Sequence, residues 1–168
     1  MGTQQILLIV LSVIIVGAAI AVGIQMFNSQ SYSASKSAIA ADAQSYASQI
    51  VQYYKTPVSQ GGAGGTLENA DEAKIANFIG WGSTTTETGG TATTTANTMD
   101  NDNGEFKISF TTVESDTLVV VLGLSKEDNG KTKPAIMTTI TLPEGTIVGT
   151  PKDVVNTKTI SDLAVADF

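Results

Sequence analysis

Asp100-Asn101-Asp102-Asn103-Gly104-Glu105 is the densest run of oxygen donors in this sequence. Alternating Asp and Asn before a glycine is how a calcium loop begins, because a hard cation takes several oxygens from one tight turn. Asp100 and Asp102 are therefore the candidate metal ligands. An EF-hand also needs a glutamate at the twelfth position, which here is Thr111. The same residues make an Asn-Gly turn entering a strand, and the spacing favours that turn. Other chemistry is limited by composition. There is no histidine, which removes the commonest general base and metal ligand. There is no cysteine, which removes thiol nucleophiles, zinc-thiolate sites and disulfides. Gly61-Gly62-Ala63-Gly64-Gly65 lacks the Gly-Lys-Ser/Thr ending of a phosphate loop and opens no βαβ unit. Tyr46, Tyr53 and Tyr54 have the spacing of packing residues on one helix. These features predict no enzyme and no cofactor.

The elements that would hold these residues begin with a segment free of charge. No residue before Lys36 has a charged side chain. Ile6 to Ile24 is apolar apart from Ser12, Gly17 and Gly23. Those residues would make a helix of about 28 Å, against about 30 Å for the hydrocarbon core of a bilayer. A cleaved secretory signal is not expected. The segment lacks a basic start, its apolar run is longer than usual, and Ala34, Ala38 and Ala40 lie within a continuing helical pattern. No base precedes the span to set its topology.

The helical pattern runs on to Lys55, and Thr56-Pro57 ends it, because the residue before proline disfavours the helical region. Ile39, Ala43, Tyr46, Ile50 and Tyr53 form one stripe at helical period, expected to pack on the chain's own β domain. The opposite face, rich in Ala and Ser, is left for neighbouring copies. Gly17 and Gly23 mark a local kink or small-residue contacts.

Past the glycine-rich turn, Asp71 to Ile79 reads as a short helix stopped by Gly80, with Trp81 packed beside it. Ser83 to Met99 contains nine threonines and one charge, and reads as an exposed loop or irregular β excursion. O-glycosylation there is a compositional expectation only; no Asn-X-Ser/Thr sequon occurs. Phe106, Ile108 and Phe110 alternate with polar residues as a half-buried strand. Thr117 to Leu124 is apolar on both faces, hence central and covered by the long helix. Asp128-Asn129-Gly130 is a hairpin turn. Ala135 to Leu142 is a further strand, and Thr146 to Val148 and a piece within Val154 to Val165 supply short ones. The expected class is α+β: a long N-terminal helix packed on a small antiparallel sheet. Its parts are an apolar helix over 1–27, an amphipathic continuation over 28–55, and a β-rich domain over 56–168 containing the Thr-rich loop 83–99.

The run from Gln5 to Phe27 (QILLIVLSVIIVGAAIAVGIQMF), the polar helix to Lys55 and the β domain together resemble the type IV pilin superfamily. The architecture resembles the family throughout, while sequence similarity is confined to about the first 30 residues. Members wait in the membrane, are extracted by an ATPase-driven machine, and polymerise with their N-terminal helices inside. The resemblance implies an assembly core of Ile6, Leu7, Ile9, Val10, Val13, Ile14, Val16, Gly17, Ile20, Gly23, Ile24 and Phe27. It implies a homopolymer as partner, with pilus assembly machinery, and a surface filament as location after a stage in the cytoplasmic or inner membrane.

The bacterial glutamate near the fifth position is absent: Gln5 stands there if Met1 is first, Leu7 if Thr3 is. A start without glutamate is also similar to archaeal pilins and archaellins. Two other readings stand beside the filament: a single-span anchored extracytoplasmic domain, and a minor pilin or pseudopilin of a secretion machine. A net charge of −7 leaves no basic footprint for nucleic acid.

Overall fold

The computed structural model describes residues 2–67, 72–81, 84–88, 91–95, 98–113 and 116–168. One helix, α1 (Gly2–Lys55), is continuous over 54 residues, or about 80 Å at ~1.5 Å per residue. It runs through Gly17 and Gly23 without interruption. A short helix α2 (Glu72–Phe78) follows. Asp71, expected at its start, lies outside the described residues. Gly80 takes positive φ just past the helix, and Trp81 N–H closes the turn on the Ala76 carbonyl at 2.8 Å.

The glycine-rich loop completes the end of α1. A helix terminus leaves its last carbonyls without intrahelical partners. Here Ala63 N–H donates to Tyr53 O at 3.0 Å, and Gly65 N–H donates to Tyr54 O at 2.9 Å. Gly64 N–H donates to Thr56 O, also at 2.9 Å. Gly61, Gly64 and Gly65 all have positive φ, which glycine adopts without the Cβ penalty. Gly62 is required for a different reason: a Cβ there would collide with the backbone carbonyl and side chain of Thr56.

Strands β1 (Thr84–Thr88) and β2 (Thr91–Thr95) pair with each other, apart from the main sheet. The main sheet is an antiparallel meander of β3 (Thr98–Asp100), β4 (Gly104–Val113), β5 (Asp116–Ser125), β6 (Thr132–Leu142) and β7 (Thr146–Val155), in that order. β5 is its middle strand. Ile108 pairs with Val121, Val121 with Thr138, and Thr138 with Gly149, giving one row across four strands.

Three expectations are corrected. The described part of the Thr-rich stretch, read over 83–99 as an exposed loop or an irregular β excursion, forms a regular two-stranded ribbon and contributes β3. Threonine is β-branched and favours extended backbone, and only Gly89 and Gly90 separate the paired Thr88 and Thr91. Thr146 and Val155, assigned to separate short strands, bound one strand, with Pro151 on the sheet edge where its missing N–H is tolerated. The rest of Val154 to Val165 is not a strand but holds a 3₁₀ turn at Ile160–Asp162, with another at Val165–Asp167.

The sheet is covered on both faces. On one, Ile39, Ala43, Ala47, Ile50 and Tyr53 of α1 pack with Ile75, Ala76, Trp81, Phe106, Ile108, Val119, Val121 and Ile140. Trp81 is buried, as expected, edge-on to Tyr46 at 5.1 Å. On the other face, Val120, Leu122 and Leu124 pack against Ile160 and Leu163 of the C-terminal turns. β5 is thus central and apolar on both sides, but α1 covers only one of them.

Gly62→Ala is expected to destabilise the full chain in detergent by about 2 kcal/mol, through steric conflict with Thr56. Gly61→Ala meets no neighbour within 4 Å and carries only the left-handed backbone cost of about 1 kcal/mol. Thermal unfolding in which both variants match the parent would refute this role for the loop.

Candidate functional site

The site is the half of α1 that packs against none of the other described residues. Every described residue from Gly2 to Gln30 is exposed. Fifteen large apolar side chains between Ile6 and Phe27 are 50–72% exposed. Fifteen at such exposure form a patch well beyond the few hundred Å² usual for a monomer in water. Elsewhere, exposed large apolar residues are scattered, as at Val58 and Val148. At about 1 kcal/mol per side chain of this exposure, covering the patch is worth on the order of 15 kcal/mol. All twelve residues expected to build an assembly core lie on this half, and none is packed against the chain itself.

The other half of α1 is fixed to the domain. Ile39, Ala43 and Ile50 are fully buried and Tyr53 nearly so, as the stripe predicts. Tyr46 is half-buried, edge-on to Trp81 and Phe106 at 5.1 Å each. Ala47 is also fully buried. It completes the stripe one turn beyond Ala43, a signal present in the spacing but weak for so small a side chain.

Polar contacts set the helix's azimuth, and long-range pairs of this kind leave no local signature in sequence. Asp42 Oδ2 accepts from Asn101 Nδ2 at 3.0 Å and Asn103 Nδ2 at 2.8 Å. Asn101 Nδ2 also donates to the Tyr46 hydroxyl at 3.3 Å. Asn101 Oδ1 accepts from the backbone N–H groups of Asn103 and Gly104, each at 2.9 Å. The candidate calcium loop is therefore an Asn turn latched onto α1. Asp100 pairs with Lys126 at 2.6 Å, and Asp102 is exposed. Among the described residues, no group of three or more His, Cys, Asp or Glu converges to hold a metal ion.

Nearer the free half, Lys36 Nζ reaches Asp153 Oδ1 at 2.9 Å, and the Tyr32 and Thr132 hydroxyls lie 3.2 Å apart. The hydrogen bond from Lys36 holds the Asp153 carboxyl below its usual range. Burial pushes the Tyr32 phenol up.

These features define an α+β chain with a small antiparallel sheet and one apolar N-terminal helix. Among the described residues, α1 is the one helix long and apolar enough to cross a membrane, with a mean hydropathy of 3.0 over its best window. Comparison with protein-family models, curated proteins and solved structures finds no match to this chain.

Because its folded pKa is depressed, Asp153 stabilises the fold above the ordinary carboxylate range, and that contribution fades as pH falls through the lowered value. The pair is partly solvent-exposed, so its worth is under about 1 kcal/mol. Asp153→Asn should cost that much at pH 7 and progressively less at a pH below the ordinary carboxylate range. An equal loss at both pH values in chemical unfolding would refute the ionic account.

Proposed function

We propose that this chain is the structural subunit of a pilin-like extracellular filament, polymerising through its apolar N-terminal half-helix. The observation that carries the reading is that half-helix: it is apolar all round, and nothing among the described residues covers it. Bundling it with identical helices removes it from water and repeats the gain in every copy. A head-to-tail contact that does not close on itself generates a helical fibre. The resemblance to type IV pilins adds a waiting stage in the membrane, extraction by assembly machinery, and a role in adhesion, motility or surface contact. The competing reading is a single-span anchored extracytoplasmic domain, favoured by the match of about 28 Å of apolar helix to about 30 Å of hydrocarbon. A minor pilin or pseudopilin would share the first reading's architecture.

Electron microscopy of material sheared from cells tests the proposal directly. Thin filaments of this chain are expected. Val13→Lys or Ile20→Lys should abolish them while leaving the β domain folded, since an unpaired charge in an apolar bundle costs several kcal/mol. A chain starting at Gln30 should be a soluble monomer by light scattering. Normal filaments from either lysine variant, or from the truncated chain, would overturn the placement of the half-helix. A chain found only in the membrane fraction, with no filaments, would favour the anchored domain.

A further inference from the structure

The chain holds two Asn-Gly pairs, Asn103-Gly104 and Asn129-Gly130. In such a pair the glycine nitrogen can attack the side-chain carbonyl carbon of asparagine, because no Cβ on the glycine stands in the way. A peptide nitrogen is a poor nucleophile, since its lone pair is delocalised over the amide. The rate therefore depends on the surroundings: a base on the N–H, donors on the carbonyl oxygen, and room for a ring to close.

Asn129 lies in the exposed turn between β5 and β6. Gly130 N–H donates to the Asp128 carboxylate at 2.7 Å, which is within the reach of a general base. Asn129 Oδ1 accepts from the backbone N–H of Lys131 at 3.0 Å and from that of Thr132 at 2.8 Å. The Thr132 hydroxyl donates to the same oxygen at 3.2 Å. Donors fixed on one carbonyl oxygen stabilise the negative charge that develops there during attack. The turn orders base and donors in advance, so no entropy is lost in gathering them.

Asn103-Gly104 is held in another way. Gly104 is buried, and its N–H donates to the neutral Asn101 Oδ1 at 2.9 Å. A Cβ on Gly104 would collide with the Leu124 carbonyl, so the backbone is packed where a ring would have to form. Asn103 Nδ2 is fixed on Asp42 at 2.8 Å. The same dipeptide thus sits in one chain in two opposite settings.

We propose that Asp128-Asn129-Gly130 is a self-catalysed deamidation site, with Asp128 as its base and the Lys131 and Thr132 donors as its oxyanion cradle. Gly130 N bonds to Asn129 Cγ while its proton passes to the Asp128 carboxylate. The carbonyl electron pair moves onto Oδ1, where the three donors hold it. As the C=O re-forms, the Cγ–Nδ2 bond breaks, and Nδ2 leaves as ammonia with the proton from Asp128. Water then opens the succinimide: attack at Cγ gives aspartate, and attack at the main-chain carbonyl gives isoaspartate. The net change is one water consumed, one ammonia released and one negative charge added. The product bears on α1, because the Thr132 hydroxyl also stands 3.2 Å from the Tyr32 hydroxyl of the helix. Aspartate keeps an oxygen on Thr132. Isoaspartate lengthens the main chain by a methylene and withdraws it. The inference is independent of the filament reading.

The full chain is incubated in detergent at neutral pH, and both Asn-Gly pairs are followed by peptide mapping for the deamidation mass gain and for isoaspartate. Asn129 is expected to convert at least tenfold faster than Asn103. It is also expected to convert faster in the folded chain than in guanidinium, whereas a fold that merely restrains the turn would slow it. Asp128→Ser keeps an acceptor for the Gly130 N–H but removes the base, and should slow Asn129 by tenfold or more while leaving Asn103 unmoved. Thr132→Val removes the hydroxyl donor and should slow Asn129 as well. Conversion of Asn129 no faster folded than unfolded, or a rate indifferent to Asp128→Ser, would overturn the site.

Discussion

Packing of Ile39, Ala43, Ala47 and Ile50 onto the sheet fixes the direction in which α1 leaves the domain. These four side chains are fully buried, and two of them are alanines, so the helix backbone lies close to the strands. Because α1 is continuous, the docked half also aims the free half. A kink at Gly17 or Gly23 would uncouple the two. The helix runs through both, at about 1 kcal/mol for each glycine relative to alanine, and so the apolar half projects as a rod. What the domain does for this rod is mechanical: it holds one end and leaves the rest uncovered.

The residues that look most like chemistry are committed to that mechanical task. The glycine-rich loop, superficially a phosphate cradle, turns its N–H groups onto the last carbonyls of α1. The Asp/Asn loop, superficially a calcium site, gives its amides to Asp42 on the same helix. Tyr46 bridges the two systems, edge-on to Trp81 and Phe106 and bonded to Asn101. Each of these groups has a partner that orients α1, and the ring contacts add about 0.5–1.5 kcal/mol each beyond area burial.

How much of this could be read in the sequence depends on whether an element has a period. α1 and its buried stripe follow a 3.6-residue repeat, and β4 and β6 alternate, so all were legible. The C-terminal turns were not. Ile160, Leu163, Val165 and Phe168 cover the second face of the sheet, but their spacing matches neither helix nor strand. The β1–β2 ribbon read only as a loop or an irregular β excursion for the opposite reason: threonine at nearly every position erases the polar–apolar alternation that marks a half-buried strand. β3 is three residues long, too short for any period. The free half of α1 was legible in composition, while the polar contacts of the docked half depend on helix azimuth, which no local pattern encodes.

The charge distribution along α1 bears differently on its two halves. Both readings of the free half need an apolar segment of about 30 Å, so the first half of the helix is equally suited to bilayer and bundle. The second half differs. In an anchored monomer, Ser33 to Gln52 lies outside the hydrocarbon and faces water, where charged residues cost nothing and add pair interactions of about 0.2–0.5 kcal/mol. Wherever a neighbouring helix covers that face, each unpaired charge there would cost several kcal/mol in desolvation. The stripe Ser33, Ser37, Ala41, Gln44, Ser48 and Gln52 is uncharged, while Lys36 beside it is turned to Asp153 and the exposed Lys55 follows one turn on, so this face suits either situation.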